Sequence, residues 1–325
     1  MNPLVCICIP NYNNEVTLGS TLESLVAQSY DNVIIKVVDN NSSDSSVEIV
    51  REFSALYPNV ELCSYAETVS GEQNFNRCLD IAEGDFVAVF HSDDVYHEDI
   101  IKEQVRVLER DPKAVGVSVA ANVIDSTGKV VDSLYTPGFI GKESFNFDQV
   151  RLFKEALKHG NFIVCPSVLM RLKVVKENAL CWNEEGFKHS SDLDLWLKLS
   201  GFGCFYYLNK KLINYRISEH SFSYHANRSY IQQHDIISVF EFYLDLLSEQ
   251  LSFFDRLNFR FFKFRDQVSR VKNRLISGVK ISLSDVEFSL LFLLCCTDAR
   301  RSKYVFFYIL MLVSPKLSLF FLSKL

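Results

Sequence analysis

Most signatures that would place this 325-residue chain at a glance are missing from it. Nine cysteines are present, yet none falls into a paired zinc spacing; Cys295-Cys296 is a vicinal pair without companions. Most others sit in apolar runs, as Cys6, Cys8, Cys165 and Cys204 do, which reads as buried, reduced thiols in a cytosolic protein. Met1-Asn2-Pro3 enters an apolar run with no basic stretch before it, so no secretory signal peptide is read. There is no internal repeat. No apolar stretch gives the ~20 residues of a clean membrane span: 286–296 and 304–313 are too short, and Ser314-Pro315-Lys316 interrupts 304–322.

Positive charge is also short. Lys and Arg number 34 against 40 Asp and Glu, a net charge of -6 that argues against a nucleic-acid binder. The imbalance is uneven. Residues 226–325 carry 14 basic and 9 acidic residues, whereas residues 1–225 carry 20 and 31. An acidic front and a basic, aromatic tail predict two regions with different tasks, 1–225 and 226–325. Hydrophobic residues make up 48% of the chain, which supports a sizeable core and excludes global disorder.

The front half alternates. Residues 4–9 and 33–38 are continuous apolar runs, the mark of strands buried on both faces. Residues 60–65 and 86–90 predict two more strands. Between them, 15–29, 46–57 and 72–83 read as helices, the second opened by a capping-box pattern from Ser45 to Glu48. The alternation predicts an α/β fold with a doubly wound, mostly parallel sheet flanked by helices. Ligands of such sheets bind beyond the carboxyl ends of the strands. Asp39-Asn40-Asn41 and His91-Ser92-Asp93-Asp94 both fall at such ends and should share one rim. Further on, 98–111 reads as a helix, 115–123 as a strand, 125–160 as loop-rich, 162–170 and 205–208 as strands, and 190–199 as a helix. The tail predicts a helix over 228–251, a basic aromatic segment over 255–280 and the two short apolar stretches, a helical appendage.

Adjacent carboxylates after a buried strand repel each other, and a cation removes that cost. Hard oxygen ligands favour Mg²⁺ or Mn²⁺ completed by phosphate oxygens and water. Solvated or helix-capping acids are the bland alternative.

At this point the ordered motifs carry a resemblance. Pro10-Asn11-Tyr12-Asn13, Val38 to Asp44, Gly84-Asp85 and Ser92-Asp93-Asp94 resemble glycosyltransferase family 2, of the GT-A fold, over about residues 4–220. The resemblance implies a metal-dependent hexosyltransferase of the bacterial surface-polysaccharide type. Its donor would be a nucleotide-sugar and its acceptor a saccharide or lipid-linked saccharide. It implies nucleotide-sugar contacts for Pro10, Tyr12, Glu15, Asp39, Asn41, Asn76, Arg77, Ser92, Asp93, Asp94 and Arg216, with Asp39 meeting the base. It implies Asp93 as metal ligand, with Asp94, His91 or His220 able to assist. Three positions depart from the family pattern: His91 stands where Asp is frequent, Phe75 where Arg is frequent and Ser191 where Glu is usual. Inverting transfer also needs a base away from the metal. The segment from Ser190 to Trp196 resembles the family's base region, which points to Asp192, with Asp194 as fallback.

Rival readings are a nucleotidyltransferase and a catalytically inactive scaffold. The first would favour a glycine-rich, basic loop after the first strand, and Pro10 to Glu15 has neither feature. Basic residues interleaved with aromatics over 255–325 suit peripheral contact with anionic lipid at the inner face of the cell membrane; a packed core or dimer interface is the alternative.

Overall fold

A computed structural model describes residues 2–142, 144–217, 231–277 and 283–313. The chain divides into two compact units, Met1–Leu152 with Asn161–Ser218, and Phe153–Gly160 with Glu219–Leu325.

The first unit is built on a mixed, mostly parallel sheet. Its strands are β1 (Val5–Asn11), β2 (Val33–Asp39), β3 (Val60–Ser64), β4 (Phe86–Val89), β5 (Val95–Tyr96), β6 (Ala114–Ile124), β7 (Val130–Ser133), β8 (Ser144–Phe147), β9 (Leu169–Arg171) and β10 (Cys204–Arg216). The main order is β3-β2-β1-β4-β9-β6-β10-β5, with β7 beside β6 and β8 beside β10. Helices α1 (Leu18–Val26), α2 (Ser46–Leu56), α3 (Gly71–Ile81) and α4 (Ile100–Arg110) connect the strands. After α5 (Gln149–His159), which straddles the two units, come α6 (Leu172–Glu177), α7 (Glu184–Phe187) and α8 (Ser191–Ser200).

All seven residues of β1 are buried, as its unbroken apolar run predicts. β1 pairs in parallel with β2 on one side and β4 on the other, so chain order reverses around it. That reversal is the switch point where loops diverge and leave a crevice. The register sets Asn11 opposite Asp39, and Asp39 opposite Ser64. Gly84 takes φ 91° where its backbone crosses Leu4, a position in which a Cβ would lie 2.7 Å from Leu4 Cγ. Asp85 Oδ2 then accepts from Leu4 N at 2.8 Å and pins the start of β4 to β1.

Three expectations need correction. The capping box does not form: α2 begins at Ser46, but Ser45 makes no cap bond. Ser46 Oγ instead accepts from Asn14 N, and Glu48 pairs with Arg51. The segment 125–160 is ordered into β7, β8 and α5, because its partners are remote in sequence; Phe147 lies opposite Phe205, and Phe139, Phe145 and Phe162 close around it. The run 162–170 is mostly not strand. Pro166 forces a 3₁₀ turn over Cys165–Ser167, and pairing starts only at Leu169.

The second unit contains the end of α5 with α9 (Ile236–Leu246), α10 (Phe253–Ile276), a 3₁₀ turn Leu290–Cys295 and α11 (Ala299–Val313). A capping box of Ser252 and Asp255 starts α10. Leu257, Phe261, Phe264 and Val268 on α10 form a core with Phe292, Tyr308 and Met311. Arg301 is buried there, bonded to Asn258 Oδ1 at 2.9 Å and set over the Phe261 ring. No helix among the described residues is long and apolar enough to cross a membrane.

Candidate active site

Three loops meet at the carboxyl ends of β1, β2 and β4. Side chains hold the first two together. Asn11 Nδ2 donates to Asp39 Oδ1 at 2.9 Å, and Ser42 donates to the same carboxylate from its N at 2.9 Å and its Oγ at 2.6 Å. Asp39 is thus buried with three of its roughly four acceptor positions used. Glu15 N donates to Asp44 Oδ2, and Ser45 N returns the bond to Glu15 Oε2, both at 2.9 Å. Asn13 and Asn41 take positive φ at the two loop tips, where asparagine tolerates the left-handed region. Pro10 is buried within β1, whereas Tyr12 and Asn41 are exposed.

The third loop carries the acidic tip. Asn14 Nδ2 donates to Ser92 Oγ at 2.6 Å, and Thr21 Oγ1 holds the Ser92 and Asp94 carbonyls. Ligand atoms of His91, Asp93 and Asp94 all lie within 4.8 Å of one another, the scale of one coordination sphere. Asp94 is fully buried: Oδ1 accepts from Arg216 N at 2.8 Å, and Oδ2 has no hydrogen-bond donor. His91 Nε2 is likewise buried without a partner. Burial, reinforced by the neighbouring Asp93 charge, pushes the Asp94 carboxyl well above the usual range, with Arg216 opposing. Burial also holds His91 below its ordinary value, against the pull of Asp93, which favours a neutral, ligating imidazole. Hard oxygens, a neutral nitrogen and two buried polar atoms without a hydrogen bond fit a divalent cation. His220 lies outside the described residues.

Arg216 is spent on backbone. Its Nε donates to Asp93 O at 2.7 Å and its Nη1 to Asp125 O at 3.0 Å, so it braces the tip from β10. Arg77 stacks over Tyr65 at 4.1 Å and donates to Asn40 Oδ1 and Glu67 O. Asn76 turns to the Trp182 backbone, donating to its O at 3.0 Å and accepting from its N at 2.8 Å.

A second carboxylate stands apart at the start of α8. Asp192 Oδ2 accepts from Asn161 Nδ2 at 2.7 Å, and burial raises its pKa to about 6. Asp194 is fully buried and paired with Lys198 at 2.7 Å. Cys165 links the two acidic regions: burial raises its thiol pKa, and the charges of Asp192 and Asp94 both add to the rise.

The glycosyl transferase family 2 model matches residues 6–179, more than half of the chain and all three rim loops. The chain belongs to glycosyl transferase family 2. It is 24% identical over 216 residues to an uncharacterized glycosyltransferase of Haemophilus influenzae, a match over 66% of each protein, just under two thirds of that relative's length. It is 26% identical over 243 residues to the Escherichia coli UDP-Glc:alpha-D-GlcNAc-diphosphoundecaprenol beta-1,3-glucosyltransferase WfgD, covering 73% of this chain and 86% of that protein. Its fold is similar to that of S. aureus TarS 1-349 in complex with UDP-GlcNAc, with TM-score 0.59, 15% identity and coverage of 93% and 78%.

In this family 2 chain, two departures from the family pattern meet. Phe75 stacks on His91 with ring centroids 5.5 Å apart, and Trp182 packs edge-on against Phe75 at 5.3 Å. Sequence reasoning named Phe75 and His91 separately and had no means to pair them. It passed over Asn161 and Trp182 altogether and read Cys165 only as a buried thiol. Asn161 follows Gly160 in what reads as a loop, and only the tertiary contact shows its partner.

Proposed function

We propose that this chain transfers a hexose from a nucleotide-diphosphate donor, a UDP-sugar, to a saccharide or lipid-linked acceptor in polysaccharide synthesis, with inversion at the anomeric carbon. The acidic tip carries this reading: His91, Asp93 and Asp94 converge at a switch point with two buried polar atoms unpartnered. The WfgD name adds support, since it gives UDP-Glc as donor and a diphosphoundecaprenol-linked sugar as acceptor.

Asp93, Asp94 and His91 would hold Mn²⁺ or Mg²⁺. When bound, the cation neutralises charge developing on the departing diphosphate. The exposed Tyr12 and Asn41 face the nucleotide at the rim, and the remaining acceptor position of Asp39 takes an N–H of the base. Pro10, Glu15, Ser92, Asn76, Arg77 and Arg216 set the shape of the walls. Asp192 takes the acceptor hydroxyl proton while that oxygen bonds to C1 and the C1–O bond to the diphosphate breaks. A pKa of about 6 leaves it mostly ionised at neutral pH and more basic than a solvated aspartate. Asp194, neutralised by Lys198, is the weaker candidate for that task. Residues 255–325 make peripheral contact with the inner face of the cell membrane, on the cytoplasmic side, where a lipid-linked acceptor is presented.

The test is a screen of nucleotide-sugars for Mn²⁺-dependent binding and slow hydrolysis, with Asp93→Ala alongside. Saturable binding of one donor that needs the cation and is lost in the variant is the expected result. Transfer at the native rate by Asp93→Ala would remove the metal assignment.

A further inference from the structure

We infer that the helical unit carries a docking surface for an anionic phospholipid membrane, centred on the 3₁₀ turn Leu290–Cys295 and the adjoining side of α10. The inference rests on the reading of 255–325 as a membrane-contacting region and gives that contact a location on the fold.

The turn splits its side chains sharply. Phe292 and Cys295 enter the core, while Leu290, Leu291, Leu293 and Leu294 are exposed, Leu290 by 75% and Leu294 by 61%. Four exposed leucines within five residues form a contiguous apolar projection, not the scattered single residues normal on a soluble surface. α11 repeats the division. Val305, Tyr308 and Met311 are buried, and Phe306, Ile309 and Leu312 are exposed.

Charge beside this projection selects the occupant. α10 contains seven basic residues and two acidic ones. Both acids are engaged, Asp255 in the capping box and Asp266 with Arg270 at 2.8 Å. A cavity of about 240 Å³ joins the two features, lined by Arg260 and Lys263 from α10 and by Phe288, Ser289 and Phe292 leading into and within the turn. Glu287 also lines it, and Lys263 reaches Glu241 at 3.2 Å, which leaves Arg260 as the exposed cation at its edge. Exposed Arg300 and Lys303 open α11 ahead of its apolar residues. Leucines that enter acyl chains, with cations level with the phosphates behind them, match the layering of an anionic bilayer surface.

The experiment is co-sedimentation of the full chain with two kinds of vesicle, phosphatidylcholine alone and phosphatidylcholine with one third phosphatidylglycerol. Size-exclusion chromatography without lipid and thermal melting accompany it. The native chain should pellet with the anionic vesicles and hardly with the neutral ones. Replacing Leu290, Leu291, Leu293 and Leu294 by Ser should abolish pelleting, since each inserted leucine is worth about tenfold in partitioning. Arg260→Glu should weaken binding by about fivefold or more. Because these side chains are exposed, melting should not change. Native pelleting that is indifferent to both substitutions would overturn this surface while leaving membrane contact elsewhere in 255–325. No pelleting with either vesicle would overturn both. A lipid-free dimer that the leucine substitutions dissociate, again without pelleting, would assign the patch to a second copy instead.

Discussion

The most informative perturbation is at Asp192, because its geometry makes activity and stability respond to pH in opposite directions. Its carboxyl titrates at about 6, raised by burial and held down in part by the Leu193 N–H and the Asn161 amide. A general base works only when ionised. About a tenth of Asp192 is then active at pH 5 and about nine tenths at pH 7, close to a tenfold rise in kcat across that interval. Stability moves the other way. The folded value lies above the ordinary aspartate value of 3.8, so the folded state holds this proton more tightly than the unfolded chain. Stability therefore falls as pH rises from about 4 through 6, by about 3 kcal/mol for this group. Asn161→Ala removes a charge-assisted bond worth about 1.5–3 kcal/mol and should move the kinetic limb upward by about one pH unit or more. Asp192→Asn should keep donor affinity, lose turnover and flatten this part of the stability profile. The assays are kcat against pH from 4.5 to 8 with a saturating donor, and chemical denaturation over the same range. A kinetic limb that stays in place in Asn161→Ala, or full turnover in Asp192→Asn, refutes the assignment of the base.

Three further outcomes follow from particular contacts. Mn²⁺ at about a hundredfold over its Kd should stabilise the chain by about 2.7 kcal/mol; Asp94→Asn should remove that thermal shift while sparing the fold, and an undiminished shift would place the cation elsewhere. Gly84→Ala should cost about 1–3 kcal/mol in denaturant titration, because φ 91° and the Leu4 contact both oppose a Cβ. Asn76→Ala should cost about 1–3 kcal/mol by freeing the Trp182 backbone groups, with donor affinity unchanged in a binding titration; a large affinity loss at native stability would restore a direct nucleotide contact.

Local pattern was sufficient where a segment's environment is uniform. The apolar runs 4–9 and 33–38 are strands β1 and β2 because burial on both faces demands unbroken hydrophobicity. Strand-end polar clusters then fall on one rim by topology alone, which is why Asp39 and the tip at Asp93-Asp94 were legible together. Elements whose partners are distant in sequence were not legible. β8 exists because β10 accepts it, and the Ser45–Glu48 pattern failed because the loop after β1 took the Ser46 hydroxyl.

By itself, then, the amino-acid sequence determined the alternation, the rim and the residue types at the acidic tip, since these depend on periodicity and on chemistry written in contiguous motifs. Only the tertiary structure decided which atoms are engaged. It bound Asp39 to Asn11 and Ser42, turned Asn76 and Arg216 to backbone carbonyls, paired Asp194 with Lys198, and left Asp94 Oδ2 and His91 Nε2 without hydrogen-bond partners. Hydrogen-bond occupancy is set by groups brought together across as many as 123 positions of chain, as Arg216 is to Asp93, and one-dimensional spacing carries no record of that meeting.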